Sequence, residues 1–322
     1  MNLDFEYQKV INNLEQRFNF EKKEDSKFDF FRLDRSLKLM DLLDCPNESN
    51  ALNIHIAGTN GKGSVSSLLS SVLSLNYKVG LYSSPHLYNY TERIKINRKN
   101  ISKKDFINIY NFIEKKILEY EKISGKNFSF FEVLTAMSFI YFKKNKVDIN
   151  VIETGIGGTY DTTNVIKSDI QVITPISYDH QNVLGDTIKS ISENKAGIIK
   201  ENSTVITSKQ ISEALEIIRK KSAEKKSKLI ELNYSIKSKL SIKDFRMNTL
   251  IEINGNEYNI SSNSVGRQYI DNVALAINTL NYIDKFELTK FQIEKGIKNN
   301  EWPCRGNIKK FKDRIFFIDG AH

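Results

Sequence analysis

Residues 55–64, His55-Ile56-Ala57-Gly58-Thr59-Asn60-Gly61-Lys62-Gly63-Ser64, decide the fold. Ala51–Ala57 reads as a buried strand and Gly61–Leu75 as a helix, with a glycine-rich turn between them. Such a turn points backbone N–H groups at an anion, and the helix dipole adds favourable potential. Its glycines let the backbone approach phosphates without a Cβ in the way. Gly58, Thr59, Asn60, Gly61, Lys62, Gly63 and Ser64 are therefore the candidate nucleotide-phosphate cradle. Lys62 would reach the outer phosphates, and Ser64 would offer its hydroxyl to Mg²⁺. The spacing is not that of a standard P-loop: two residues, not four, separate Gly58 from Gly61-Lys62, and Gly63 precedes Ser64. The plainer reading, a glycine-rich turn with a chance lysine, leaves the coincidence of strand, helix and serine without a reason.

Outward from this turn, strands and helices alternate. Tyr7–Phe18 and Arg35–Leu43 read as short helices, with Asp34 as a cap of the second. After the first strand and helix come a strand at Lys78–Tyr82 and helices at Lys103–Tyr120, capped by Ser102, and Phe131–Lys144. Strands follow at Asp148–Glu153, Ile170–Ile173, Thr204–Thr207 and Lys228–Glu231, with helices at Thr187–Lys200 and Ile211–Lys225. This alternation predicts an α/β fold with a doubly wound, mostly parallel sheet. Near residues 248–261 the pattern changes: Asn254-Gly255 between two apolar runs predicts a β-hairpin. Helices return at Asp271–Leu280 and Leu288–Lys298, Trp302–Arg305 reads as a linker, and Arg314–Ile318 as a lone strand.

Composition bounds the function classes. The chain has 322 residues, 40% hydrophobic and 27% charged, with 15 Gly and 4 Pro, which is the profile of a folded soluble protein. Its net charge of +9 suits polyanionic ligands, including nucleotides and nucleic acid. The lysines are spread along the chain, and Lys220-Lys221 and Lys225-Lys226 lie among Glu213, Glu216 and Glu224, as on a solvated helix face. A nucleic-acid-binding role is therefore not expected. Two distant cysteines, Cys45 and Cys304, make neither a disulfide framework nor a metal cluster and suit a reducing cytoplasm. No apolar run approaches membrane-spanning length, and the acidic Met1–Arg17 segment does not resemble a signal peptide.

Glu153 adds chemistry to the sheet. It ends a buried strand, where open α/β sheets place their ligands, and an unpaired carboxylate there is costly to bury. Mg²⁺, which prefers oxygen ligands, would supply the missing charge.

The GTNGKGS loop resembles that of the Mur ligase superfamily, and most of all that of the folylpolyglutamate and dihydrofolate synthases. Further segments resemble that family in the same order. They are Ser83-Ser84-Pro85-His86-Leu87 with Glu92-Arg93-Ile94, Phe130-Phe131-Glu132-Val133-Leu134-Thr135-Ala136, and Glu153-Thr154-Gly155-Ile156-Gly157-Gly158-Thr159-Tyr160-Asp161-Thr162-Thr163-Asn164. Ser177-Tyr178-Asp179-His180, Asn194-Lys195-Ala196-Gly197-Ile198, Gly266-Arg267-Gln268-Tyr269 with Asn272, Trp302-Pro303-Cys304-Arg305-Gly306 and Asp319-Gly320-Ala321-His322 complete the set. The chain departs from the family pattern at Thr159 (for Arg), Thr162 (for Ala), Asn194 (for Glu), Gln268-Tyr269 (for His-Gln), Val273 (for Ala) and Cys304 (for Gly).

The resemblance implies a Mur-ligase central domain and an ATP-dependent ligase that joins glutamate to dihydropteroate or a folate through an acyl phosphate. It implies Mg²⁺ ligation by Ser64, Ser84, Glu153 and His180, and carbamylation of Lys195 into an oxygen-donor anion. Catalytic roles fall to Lys62, Lys195 and His180; folate contacts fall to Ser83, Pro85, Thr135 and Asp161. ATP contacts beyond the loop fall to Asn272, Arg305, Asp319 and His322. Residues 1–301 would form the ATP- and folate-binding domain, and 302–322 a linker and the first strand of a second domain that a separate chain could supply. A catalytically incomplete nucleotide- and folate-binding remnant is the alternative reading.

Overall fold

The computed structural model describes residues 2–19 and 32–320. Its centre is an eight-stranded sheet in the order β4-β3-β2-β5-β1-β6-β7-β8. The strands are β1 Leu52–Ala57, β2 Val79–Tyr82, β3 Ile94–Ile96, β4 Lys99–Asn100, β5 Ile149–Glu153, β6 Ile170–Ile173, β7 Thr204–Thr207 and β8 Lys228–Glu231. The six strands from β2 to β8 along this order are parallel, and β3 and β4 add an antiparallel edge. β1, β2 and β5 are buried along almost their whole length, as expected of parallel strands covered on both faces.

On one face lie α3 Lys62–Leu73, α9 Arg267–Leu280 and α10 Lys290–Lys298, packed with Ile54 and Ile56 of β1. α1 Leu3–Gln16, α2 Leu33–Leu42, α4 Lys103–Ser124 and α5 Phe130–Lys144 build a second core, centred on Phe106, Phe130 and Phe142. The short α6 Gln181–Leu184 precedes α7 Ile188–Ala196, and α7 with α8 Ser212–Glu224 forms a third core around Ile191 and Ile218. α3 is buried almost all round, and three of its serines find internal partners, while Ser70 Oγ has none among the described residues. Ser66 bonds the Lys62 carbonyl, Ser67 bonds Asn300, and Ser71 bonds the Gly296 carbonyl at 2.8 Å.

The predicted doubly wound sheet is present, and Ile170–Ile173, Thr204–Thr207 and Lys228–Glu231 have the expected bounds. Several expectations are corrected. Asp34 does not cap α2 but sits inside its first turn, because the helix already starts at Leu33. The helix expected over Thr187–Lys200 starts one residue later, with Thr187 as its cap, and ends at Ala196. β3 and β4 escape the sequence because Asn97-Arg98, which turns them with φ of 45° and 67°, lacks the glycine of a typical hairpin turn. The hairpin around Asn254-Gly255 grows into a four-stranded antiparallel sheet: β9 Tyr234–Ile236, β10 Ser241–Lys243, β11 Arg246–Ile253 and β12 Asn256–Ser262. Arg314–Ile318 is not a lone strand: as β14 it pairs along its length with β13, Asn307–Phe311.

Candidate active site

Four loops leave the carboxyl ends of adjacent strands β2, β5, β1 and β6, and the candidate residues gather there. The phosphate loop leaves β1 and rests on the loop after β6. Thr59 and Asn60 donate their N–H groups to the Pro175 carbonyl at 2.9 and 3.3 Å, and the Thr59 hydroxyl exchanges hydrogen bonds with the Ser177 backbone. Those two N–H groups are therefore engaged by the protein. The first-turn N–H groups of Lys62, Gly63 and Ser64 have no intrahelical acceptor, as at the start of any α-helix.

Two glycines in the loop are sterically required. Gly58 has φ of +144°, and a Cβ there would come within 1.9 Å of Thr174 Oγ1. Gly61 has φ of +90°, and its Cβ would lie 2.3 Å from Asn272 Oδ1, which also places Asn272 against the loop. Trp302 lies over Gly63, 3.2 Å from where a Cβ would stand, and takes the Lys95 ammonium 5.0 Å from its ring centroid.

Two ammonium groups converge on one carbonyl. Lys62 Nζ donates to the Gly58 carbonyl at 3.0 Å and to that of Thr59 at 3.2 Å. Lys195 Nζ, from α7, donates to the same Gly58 oxygen at 2.8 Å. Lys195 is only 1% exposed, and burial, with the nearby Lys62 charge, lowers its pKa to about 7. Glu153, at the end of β5, feels the Lys62 charge. It is 3% exposed and accepts only the Ser84 N–H, at 3.2 Å, in the way of hydrogen bonds. Burial pushes its pKa up to about 7 against the opposing pull of Lys62, that N–H, Arg305 and Arg93. Among the described residues no ion pair neutralises it. A buried carboxylate lacking a counter-ion, beside the Ser84 loop and the β1 loop, fits a hard divalent cation. Among the described residues no three His, Cys, Asp or Glu side chains form a metal cage. Mg²⁺ does not demand one, since it is usually held by one or two carboxylates with waters and phosphates.

The other implied residues are placed less uniformly. Ser64 is buried at the start of α3. His180 caps α6 with φ of 45°, is 42% exposed, and pairs with Asp179 at 3.6 Å. Among the described residues no hydrogen bond or ion pair joins it to Glu153 or Ser64. Ser83 is buried and donates its N–H to the Arg93 carbonyl, while Pro85 is exposed, following a cis Ser84–Pro85 peptide. Arg93 in turn donates to His86 Nδ1 at 2.8 Å. Glu92, though burial opposes it, is held below the usual carboxylate range by the N–H groups of Leu87, Asn89 and Tyr88. Thr135 is fully buried and donates to the Tyr82 hydroxyl at 3.1 Å. Asp161 is 5% exposed and accepts from Gly155 N, Ile156 N and both the N–H and hydroxyl of Thr163, so its carboxylate organises the loop after β5. Arg305 is exposed and donates to its neighbour's Cys304 carbonyl, and Asp319 is exposed next to Gly306. His322 lies outside the described residues.

Sequence reading gave no role to several residues that the structure brings into this network. Asn164 donates to the carbonyls of Thr159 and Gly197 and receives Lys200 at 2.7 Å. Burial brings the Lys200 pKa down to about 8. His55 is fully buried and meets Thr163. His55 and Asn164 lie in quoted motifs, but apart from Thr159 their partners are 33 to 108 residues away. Two departures from the family pattern also prove to touch: Asn194 takes the N–H of Gly158 on its side chain, and its carbonyl takes the Thr159 hydroxyl at 2.9 Å.

Residues 56–280 match the family model for the Mur ligase middle domain. The chain is 34% identical over 297 residues to a folylpolyglutamate synthase of Lacticaseibacillus casei, covering 89% of this chain and 68% of that protein. It is 32% identical over 300 residues to a dihydrofolate synthase/folylpolyglutamate synthase of Bacillus subtilis, covering 90% and 69%. An FPGS–AMPPCP–folate complex superposes with a TM-score of 0.88 at 30% identity, covering 98% of this chain and 77% of that one. The loop, the buried carboxylate and the paired lysines thus sit in a shared fold, and the chain belongs to the folylpolyglutamate and dihydrofolate synthase family of Mur ligases, which are ATP-dependent ligases.

Proposed function

We propose that this chain binds MgATP at Gly58–Ser64 and activates the carboxylate of dihydropteroate or of a folate's terminal glutamate for amide formation with glutamate. The observation that carries this reading is the convergence of Lys62 and Lys195 on the Gly58 carbonyl, with the uncompensated Glu153 beside the same loop. The acceptor carboxylate attacks the γ-phosphorus and ADP leaves; the glutamate amine then attacks the acyl carbon, phosphate leaves, and the nitrogen loses a proton. Lys62 exchanges its loop carbonyls for the transferring phosphoryl oxygens and stabilises their charge as it spreads. The N–H groups of Lys62, Gly63 and Ser64 fix the phosphates in line. Asn272 and Arg305 contact the nucleotide from the α9 and linker sides, with Asp319 closing over it.

Glu153, with Ser64, Ser84 and His180, would hold Mg²⁺, whose charge screens the phosphates from the attacking carboxylate. Lys195 has the chemistry for carbamylation: a buried amine with a pKa of about 7 is substantially neutral at cellular pH, and only the neutral amine attacks CO₂. On the acceptor side, Ser83 and Pro85 line the loop after β2, Thr135 acts through the Tyr82 hydroxyl it holds, and Asp161 acts through the loop it organises. We assign 1–301 as the nucleotide- and folate-binding domain and 302–322 as a linker and the opening of a second unit. Two free cysteines suit a cytoplasmic setting.

The test is ATP- and Mg²⁺-dependent transfer of labelled glutamate onto dihydropteroate and onto tetrahydrofolate. Transfer by the 322-residue chain assigns it the whole reaction and ranks the acceptors. Binding of nucleotide and folate without transfer assigns it the binding part, with glutamate addition completed by another segment or chain. Failure to bind either ligand overturns the proposal.

A further inference from the structure

One fully buried polar chain crosses the site between the two loops that flank the chemistry. His55 lies on β1, three residues before Gly58, and is 0% exposed. Its Nε2 is 2.8 Å from Thr163 Oγ1. The Thr163 hydroxyl donates to Asp161 Oδ1, which also accepts the Thr163 N–H at 2.9 Å. The other oxygen of Asp161 takes the N–H groups of Gly155 and Ile156 at 2.9 and 3.0 Å. Every partner of Asp161 is a donor, so the single hydroxyl proton of Thr163 goes to the carboxylate. The hydroxyl oxygen is then left to accept from His55, which assigns the proton of the neutral imidazole to Nε2. Nδ1 accordingly has no hydrogen-bond partner among the described residues.

We propose that His55, Thr163 and Asp161 form a positioning relay that ties the strand bearing the phosphate loop to Gly155-Ile156, holding the loop after β5 in the shape that receives the folate-type acceptor. The acceptor assignment rests on the functional reading above; the relay itself does not. Topology supports the placement: β5 lies between β2, whose loop carries Ser83–Pro85, and β1, whose loop carries Lys62. Gly155 lies two residues after Glu153, so the shape of this loop also limits where that carboxylate can point. The Thr163 hydroxyl is the only piece of the relay that both accepts and donates. Removing it breaks the His55 link and the side-chain link to Asp161, leaving only the Thr163 N–H on that carboxylate, without adding volume.

Thr163→Val is nearly isosteric and lacks the hydroxyl; Thr163→Ser restores it. The first readout is hydrogen exchange of the Gly155 and Ile156 amides, which needs no ligand. We expect Val to speed their exchange at least about tenfold and Ser to leave it near wild type, with β7 and β8 amides unchanged in both. The second readout is binding of folate and of AMPPCP by titration. Val should weaken folate at least about tenfold and AMPPCP less than twofold, with Ser rescuing. Should the Val variant not fold, His55→Leu against His55→Gln makes the same comparison, since the Gln amide can donate where Nε2–H does. Unchanged exchange at Gly155 and Ile156, or equal weakening of both ligands, overturns the relay. Faster exchange with Ser rescue, in a wild-type chain that binds AMPPCP but not folate, upholds the relay and overturns the acceptor reading instead.

Discussion

Lys62, Glu153 and Lys195 show how burial sets the chemistry one residue at a time. Lys62→Ala is expected to lower turnover about 100-fold, the usual effect of losing one electrostatic partner of the transition state. Its melting temperature should stay near wild type, because the ammonium contacts only loop carbonyls. A melting scan beside the transfer assay separates the two outcomes. Glu153 predicts a pH dependence. Its folded pKa is raised to about 7, so the folded chain holds a proton more tightly than the unfolded chain does. The stability it contributes is complete below the unfolded value and is lost as pH rises through about 7. A cation at this site needs the ionised carboxylate. The thermal shift given by Mg²⁺ with AMPPCP should therefore be larger at pH 8 than at pH 6. In Glu153→Gln that difference should largely disappear. For Lys195 the sign is opposite, since its folded pKa is lowered to about 7 while the unfolded amine binds a proton up to its ordinary value. Its contribution to stability rises with pH above about 7, and Lys195→Met should remove that rise.

At the scale of elements, close helix packing sets the phosphate helix in place. Gly296 on α10 lies so near α3 that an added Cβ would come within 2.5 Å of Val72 Cα, a backbone atom that cannot step aside. Ser71 seals the contact by donating to the Gly296 carbonyl. Gly296→Ala should therefore push the helices apart and destabilise the chain by roughly 1–3 kcal/mol, read by urea unfolding. Because α3 carries Lys62 and Ser64 in its first turn, AMPPCP binding should weaken along with stability. The antiparallel elements behave differently. β13 and β14 form a two-stranded sheet whose Phe311, Ile315 and Phe317 are all more than 60% exposed. Such a ribbon is marginal alone. Its amides should exchange orders of magnitude faster than those of β1 and β5, which lie in the middle of the large sheet.

At the scale of the whole molecule, the charge of +9 is dispersed, and many of its cations are already engaged. Lys195 and Lys200 are turned inward onto carbonyls, Lys62 is folded onto its own loop, and Arg219 pairs with Glu231 at 2.7 Å. A nucleic-acid binder would instead present them as a continuous stripe. The chain should thus wash off immobilised DNA at about 0.15 M salt, whereas a protein making many phosphate contacts would hold on and release only steeply with added salt.

The sequence by itself determined the parallel sheet and its loops. Apolar runs of four to six residues between helical stretches are dictated by burial on both faces, and this is a local pattern. It also marked Gly58–Ser64 and Glu153, because glycines and a strand-end carboxylate are read directly, whereas Lys195 was marked only through the family resemblance. Only the tertiary structure decided which of these meet. Lys195 bonds a carbonyl 137 residues away, and His55 bonds a hydroxyl 108 residues away. Neither contact leaves a periodic trace, since a hydrogen bond depends on where two chain segments end up and not on what precedes them. The same holds for β3, β9, β10 and β13, short and partly exposed strands whose pairing comes from a neighbour's free edge rather than from their own hydrophobic pattern.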